Sequence, residues 1–260
     1  MNLRTIGIAF SVLILTAAPS FATSVSLNID GFGANVTATS ITFDCTSGIT
    51  CGPGQGAFAV DPSSTIPPVP PTGTKGLITQ MTEGTTPVGG SFSVPKWLTV
   101  ANISLDLTSN EPGAASQLPK GTTVGTNDCT TKKAYNLQLC TPAFPALATP
   151  SNPMGFSNFL LENIVIGSHV THQASFVVDG TATIGTARYL FVGTLSSPIA
   201  VAGGFQTQLA TIAKGGTIMN AYSGSFTLTP IPEPSFLGVL GGAAILMGFA
   251  LYRKRRYQRQ

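Results

Sequence analysis

The sequence predicts an all-β fold, an antiparallel β-sandwich or jelly-roll-like domain set between two apolar end segments. Three observations predict it. Apolar and polar residues alternate with period two again and again between residues 23 and 229, and no long stripe of period 3.6 interrupts them. Gly, Thr, Ser and Val recur throughout, with turn residues at short intervals. Charged residues make up only 9% of the chain, too few for long solvated helices.

The elements follow in chain order. Leu27 and Ile29 alternate with Asn28 and Asp30, and Ile41 and Phe43 repeat the pattern further on. The stretch DPSSTIPPVPPTGTKG carries five prolines between Pro62 and Pro71, which cannot donate to a ladder, so a long loop is expected there. A strand begins after Pro95 with Trp97. In ANISLDLTS, Ala101, Ile103, Leu105 and Leu107 face one way and Asn102, Ser104, Asp106 and Thr108 the other. CTPAFPALATPSNPMG, with four prolines from Pro142 to Pro153, reads as a second long loop. The stretch from Ser157 to Leu195 reads as three or four strands broken at Gly167, at Asp179-Gly180 and at Gly193, with the Asp-Gly pair as a hairpin turn. FQTQLATIA fits a short helix or a strand. Tyr222, Gly224, Phe226 and Leu228 then point one way from a last strand, with Ser223, Ser225, Thr227 and Thr229 opposite. Residues 23–60 are too few to bury a good core alone, so 23–229 is expected to form one domain with long excursions.

Both ends read as membrane-directing segments. Residues 1–22 have a charged start at Arg4, the apolar run IGIAFSVLILTAA and the small-x-small site Ser20-Phe21-Ala22, the pattern of a cleaved signal peptide. Seven basic residues, Lys75, Lys96, Lys120, Lys132, Lys133, Arg188 and Lys214, stand against all ten acidic ones between 23 and 235, which leaves that part at −3. The overall charge of +3 therefore comes from the ends, and nothing suggests a nucleic-acid partner. Four cysteines, Cys45, Cys51, Cys129 and Cys140, favour disulfides in an exported chain. Three connectivities are open, and local pairing of 45 with 51 and 129 with 140 is the simplest. The spacings do not match a zinc site.

At the other end Phe236–Leu251 holds no charge and covers about 24 Å as a helix; Pro234, Ser235 and Tyr252 bring it close to spanning length, and 236–252 is expected as a transmembrane helix. Arg253, Lys254, Arg255 and Arg256 follow as a basic stop that keeps residues 253–260 on the cytoplasmic side. Pro230, Pro232 and Pro234 impose an extended linker over 230–235, a strip that either spaces the domain or offers a protease a grip. Pro232-Glu233-Pro234, an apolar span and an Arg-rich end, in that order, resemble the PEP-CTERM sorting signal of exported proteins of Gram-negative bacteria. The resemblance covers roughly residues 231–256. It implies recognition at the inner membrane by an exosortase-type enzyme, cleavage near the motif, and a place at the cell surface or outside it. It also implies a link to exopolysaccharide and biofilm.

No catalytic pattern stands out. His169 and His172 lie in a stretch that reads as strand, where positions three apart face opposite sides, so a shared metal is not expected. No G-x-S-x-G occurs, no phosphate loop follows GPGQG, no carboxylate pair is recognisable, and no cofactor motif is present. Trp97 is the one candidate for an aromatic ligand platform. The expected function is a non-enzymatic surface or matrix protein, with a carbohydrate-binding or adhesive lectin-like module as the alternative and a secreted hydrolase with an unrecognised site as the second.

Overall fold

A computed structural model describes residues 23–68, 70–87, 91–112, 128–129, 131, 133–140, 159–166, 169–199 and 204–231. The signal peptide, the sorting motif, the apolar span and the basic tail lie outside these residues, as does the loop expected between Pro142 and Pro153. Among the described residues no helix is long and apolar enough to cross a membrane. Ser24–Pro230 fold as one unit.

Twelve strands and one described helix follow in order: β1 (Val25–Val36), β2 (Ser40–Phe43), β3 (Gln55–Val60), β4 (Lys75–Thr79), β5 (Met81–Thr82), β6 (Val94–Val100), β7 (Ile103–Pro112), β8 (Leu139–Cys140), β9 (Leu160–Ile166), β10 (His169–Ile184), β11 (Ala187–Ile199), α1 (Gly204–Ala213) and β12 (Ile218–Pro230). The all-β antiparallel class is as expected. The faces that would have formed the two layers of a sandwich are joined by continuous pairing. The order β11-β12-β1-β3-β4-β6-β7-β10 closes on itself through β10–β11, which makes an eight-stranded antiparallel barrel. Closure leaves no long free edge on the barrel wall, so the unpaired backbone groups that promote aggregation are removed.

The alternation read from the sequence is the inward and outward alternation of the barrel wall. Leu27 and Ile29 of β1, Ile103, Leu105 and Leu107 of β7, and Tyr222, Phe226 and Leu228 of β12 all point into the core. Trp97, Phe58, Phe191 and Phe226 fill the interior, with Phe226 edge-on to Trp97 at 6.2 Å and to Phe191 at 6.1 Å between ring centroids. A small barrel has little room, and glycine supplies it. Gly31 is paired directly with Tyr222, Gly76 with Phe58, Gly180 with Phe191 and Gly193 with Phe226. In each pair the ring lies over the glycine, where a Cβ would collide with it. Glycine inside a strand thus admits an aromatic ring instead of breaking the ladder.

That rule corrects two expected turns. Asp179-Gly180 lies inside β10, at a register shift against β7, because a side chain at 180 would strike the Asp106 carbonyl and the Phe191 ring. Gly193 lies inside β11 for the same steric reason. The turn between β10 and β11 is Gly185-Thr186, with Gly185 at φ 60°. Ala101, expected to face inward, takes the turn before β7 at φ 50°. Gly167 lies outside the described residues.

The ambiguous stretch near residue 205 folds as α1. Its buried Phe205, Gln208, Leu209 and Ile212 recur at helical spacing. The proline-rich loop after β3 runs beside β1: Thr65 donates its N–H to the Ser26 carbonyl, the Asn28 N–H donates to the Ser64 hydroxyl, both at 2.9 Å, and Ile66 is buried. β1 begins and β12 ends at the same pole, since Val25 pairs with Leu228. The helix, β2 and the start of β10 gather at the opposite pole.

Candidate functional site

The pole opposite the start of β1 and the end of β12 carries two features: a polar hub and an apolar cavity. The hub is Asn163 of β9. Its carbonyl Oδ1 accepts the Phe205 N–H at 2.9 Å, which satisfies a donor in the first turn of α1. Its Nδ2 donates to Gln138 Oε1 at 2.9 Å and to Gln206 Oε1 at 3.1 Å. Gln206 in turn donates to Gln138 Oε1 and to the Thr131 carbonyl. One buried amide therefore ties the helix to the loop that leads into β8.

That loop is closed by the Cys129–Cys140 disulfide, and Cys45 is bonded to Cys51 in the turn between β2 and β3. Both are the local pairings. Each constrains a short loop of the unfolded chain, by about 2–3 kcal/mol on the chain-entropy model. Lys75 also braces the first loop by donating to the Ser47 carbonyl.

The cavity lies between α1 and the barrel mouth. Phe43, Phe159, Leu161, Ala174 and Leu209 supply apolar walls, and about 50 Å³ of free space remains between them. Gln208, Asn220, Ser196 and Ser197 also border it, but the surface that faces the space is almost entirely carbon. The phenol of Tyr222 closes the barrel side and donates to the Ala57 carbonyl at 3.3 Å. Burial pushes its pKa above the ordinary tyrosine range, and the nearby Asp44 adds to that. The walls of this cavity keep slight contact with solvent: Phe43 and Phe159 are 7% exposed, whereas Trp97, Phe58 and Phe226 deeper in the barrel are at 0%.

Trp97 is not a surface platform. It is fully enclosed, its ring packs edge-on against Phe226, and its indole N–H has no hydrogen-bond partner. It lies on β6 within the register shift between Val94 and Leu98 against β7, and it points toward the core that a closed barrel of this width must fill. Among the described residues no three His, Cys, Asp or Glu side chains converge as a metal site. His172 is buried on β10, with neither ring nitrogen hydrogen-bonded. Burial lowers its pKa from 6.5 to about 4.

That shift predicts an acid-sensitive fold. The unfolded chain takes up the His172 proton near pH 6.5 and the folded chain only near pH 4. Stability contributed by neutral His172 is therefore present above pH 6.5 and is lost as pH falls toward 4, by up to about 3 kcal/mol. Urea unfolding at pH 7 and pH 4.5 measures it. The His172→Gln variant should lose less over the same interval, and equal losses in both proteins would remove His172 from the explanation.

Comparison with family models, curated proteins and solved structures returns no match to this chain.

Proposed function

We propose that this is a non-enzymatic exported protein whose barrel is displayed at the cell surface or in the extracellular matrix, after sorting through its C-terminal segment at the inner membrane. The observation that carries the reading is the disulfide pair: two closed cystines and no free cysteine among the described residues suit an oxidising compartment. The topology is compatible with it. Strands β1 and β12 are neighbours, so the chain enters and leaves the barrel at one pole. The strip at 230–235 is long enough to reach about 19 Å when extended, which gives an exosortase-type enzyme access to Pro232-Glu233-Pro234 without unfolding β12. Membrane attachment of the precursor through residues 236–252, with Arg253, Lys254, Arg255 and Arg256 as the stop, and a role in exopolysaccharide or biofilm, belong to the same proposal.

Replacing Pro232, Glu233 and Pro234 together by alanine tests it in the native host. The expected result is full-length chain accumulating in the inner-membrane fraction, with the surface fraction depleted at least tenfold. Undiminished surface delivery of the triple variant would refute the motif's role.

A further inference from the structure

His172 is a buried imidazole with no partner to share a proton. It is 2% exposed, and neither ring nitrogen is hydrogen-bonded. Its place in the sheet fixes what covers it. In register it stands between Asn163 of β9 and Ile199 of β11. Directly opposed residues of an antiparallel pair share a face, so the ring lies on the side from which Asn163 reaches α1. Ala174 and Phe176, two and four positions on, continue that face and line the apolar cavity. Asn163 Oδ1 accepts the Phe205 N–H at 2.9 Å, and a Cβ at Gly204 would strike the same oxygen. His172 therefore sits beside the first turn of α1.

An imidazolium has no support there. The N-terminal end of a helix carries about half a positive charge, which repels a cation. Among the described residues the surrounding elements bring no counter-charge to this face. α1 holds no charged residue. Glu162 of β9 alternates to the side opposite Asn163. Asp179 of β10 and Arg188 of β11 stand well down their strands, and His169 is in register with Ile166. In the loop beyond the hub, Asp128 accepts from the Tyr135 hydroxyl and the Thr131 N–H, and Lys133 is exposed. Proton uptake then requires movement. β10 is paired on both sides at His172, so the strand cannot turn the ring outward. α1 is held by the Asn163 hub and by the packing of Phe205, Leu209 and Ile212, over about 50 Å³ of unfilled space. Atoms that face a void lack dispersion contacts on that side, so the helix is held more loosely than the strands.

We propose that protonation of His172 releases α1 from the barrel mouth, which makes the helix an acid-sensitive lid over the apolar cavity. Acid then uncovers Phe43, Phe159 and Leu161 while the ring of strands stays closed.

Hydrogen exchange on the full-length protein in detergent micelles, at pH 7 and pH 4.5 and in low urea, tests this. Protection of the α1 amides, corrected for intrinsic exchange, is expected to fall about fiftyfold between the two pH values. That is the change in opening produced by a pKa of 6.5 in the open state and about 4 in the closed one. At pH 4.5 the α1 amides should exchange at a rate that low urea leaves unchanged, whereas β7 and β12 amides stay better protected and respond steeply to urea. His172→Gln should remove most of the pH effect on α1. If that variant does not fold, His172→Leu, which removes both unpaired nitrogens, serves the same purpose. A fall of less than tenfold in the parent or the same fall in the folded variant would overturn the proposal. So would equal protection and equal urea response in α1 and β7, which would mean that acid unfolds the whole barrel. None of these results bears on sorting, which the triple-alanine variant judges separately.

Discussion

Gly193→Val is expected to cost the barrel more than 4 kcal/mol, at the extreme of what single substitutions do. The reason is local and steric. Gly193 of β11 pairs with Phe226 of β12, and the ring lies where a Cβ at 193 would stand. Phe226 cannot move aside, because Trp97 and Phe191 pack edge-on against it within the closed ring of strands. Overpacking an interior usually costs about 1–3 kcal/mol through displaced side chains, and here the displaced group is the centre of the core. Gly193→Ala should fall within that range. Thr194→Val, on the exposed face of the same strand, should change stability by no more than about 0.5 kcal/mol. Urea unfolding followed by the fluorescence of the single tryptophan separates the three. A double variant, Gly193→Ala with Phe226→Leu, should cost less than the sum of its parts, because the smaller side chain relieves the collision. Strict additivity would mean that the two positions do not compete for the same space.

Trp97→Ala carries the second large effect, a loss of about 3–5 kcal/mol from the missing transfer energy and the cavity left behind. Trp97→Phe should cost much less. The indole N–H has no partner in the core, so phenylalanine removes an unsatisfied buried donor along with part of the ring, and the two terms oppose each other. If Trp97→Ala were as stable as the parent, the ring would not lie in the core as described.

Much of the wall was legible because a barrel strand and a sandwich strand share one signature. Ile103, Leu105 and Leu107, and Tyr222, Phe226 and Leu228, announce their buried face by alternation alone. Closure was not legible for the same reason, since it depends on β10 pairing with both β7 and β11, a property of long-range register. Glycine misled at Asp179-Gly180 and at Gly193 because a turn and a seat for an aromatic ring demand the same absent side chain. A count of aromatics hints at the second use: Phe191 and Phe226 need such seats, and turns at every glycine would have cut β10 and β11 into strands too short to carry them. The disulfides were legible because short separations leave little choice. Trp97 was read as a candidate platform because its type suits both surface and core, and only the direction of its strand decides. The Asn163 hub and the cavity carried no local signal. Asn163, Gln138 and Gln206 are far apart in the chain, and the cavity draws on seven separate segments around α1 and the barrel mouth.

The barrel explains how the protein is built, and the account of what it is for rests on its route. The most direct measurement is the intact mass and C-terminal peptide of the mature protein, purified from the surface fraction of its native host. The expected chain starts near Thr23 and ends near Pro232–Pro234, with both cystines closed and the apolar span gone. Retention of Phe236–Gln260 at full occupancy would contradict it. The proline strip would then be a spacer on a permanent anchor, and processing at Pro232-Glu233-Pro234 would have no place in the protein's function.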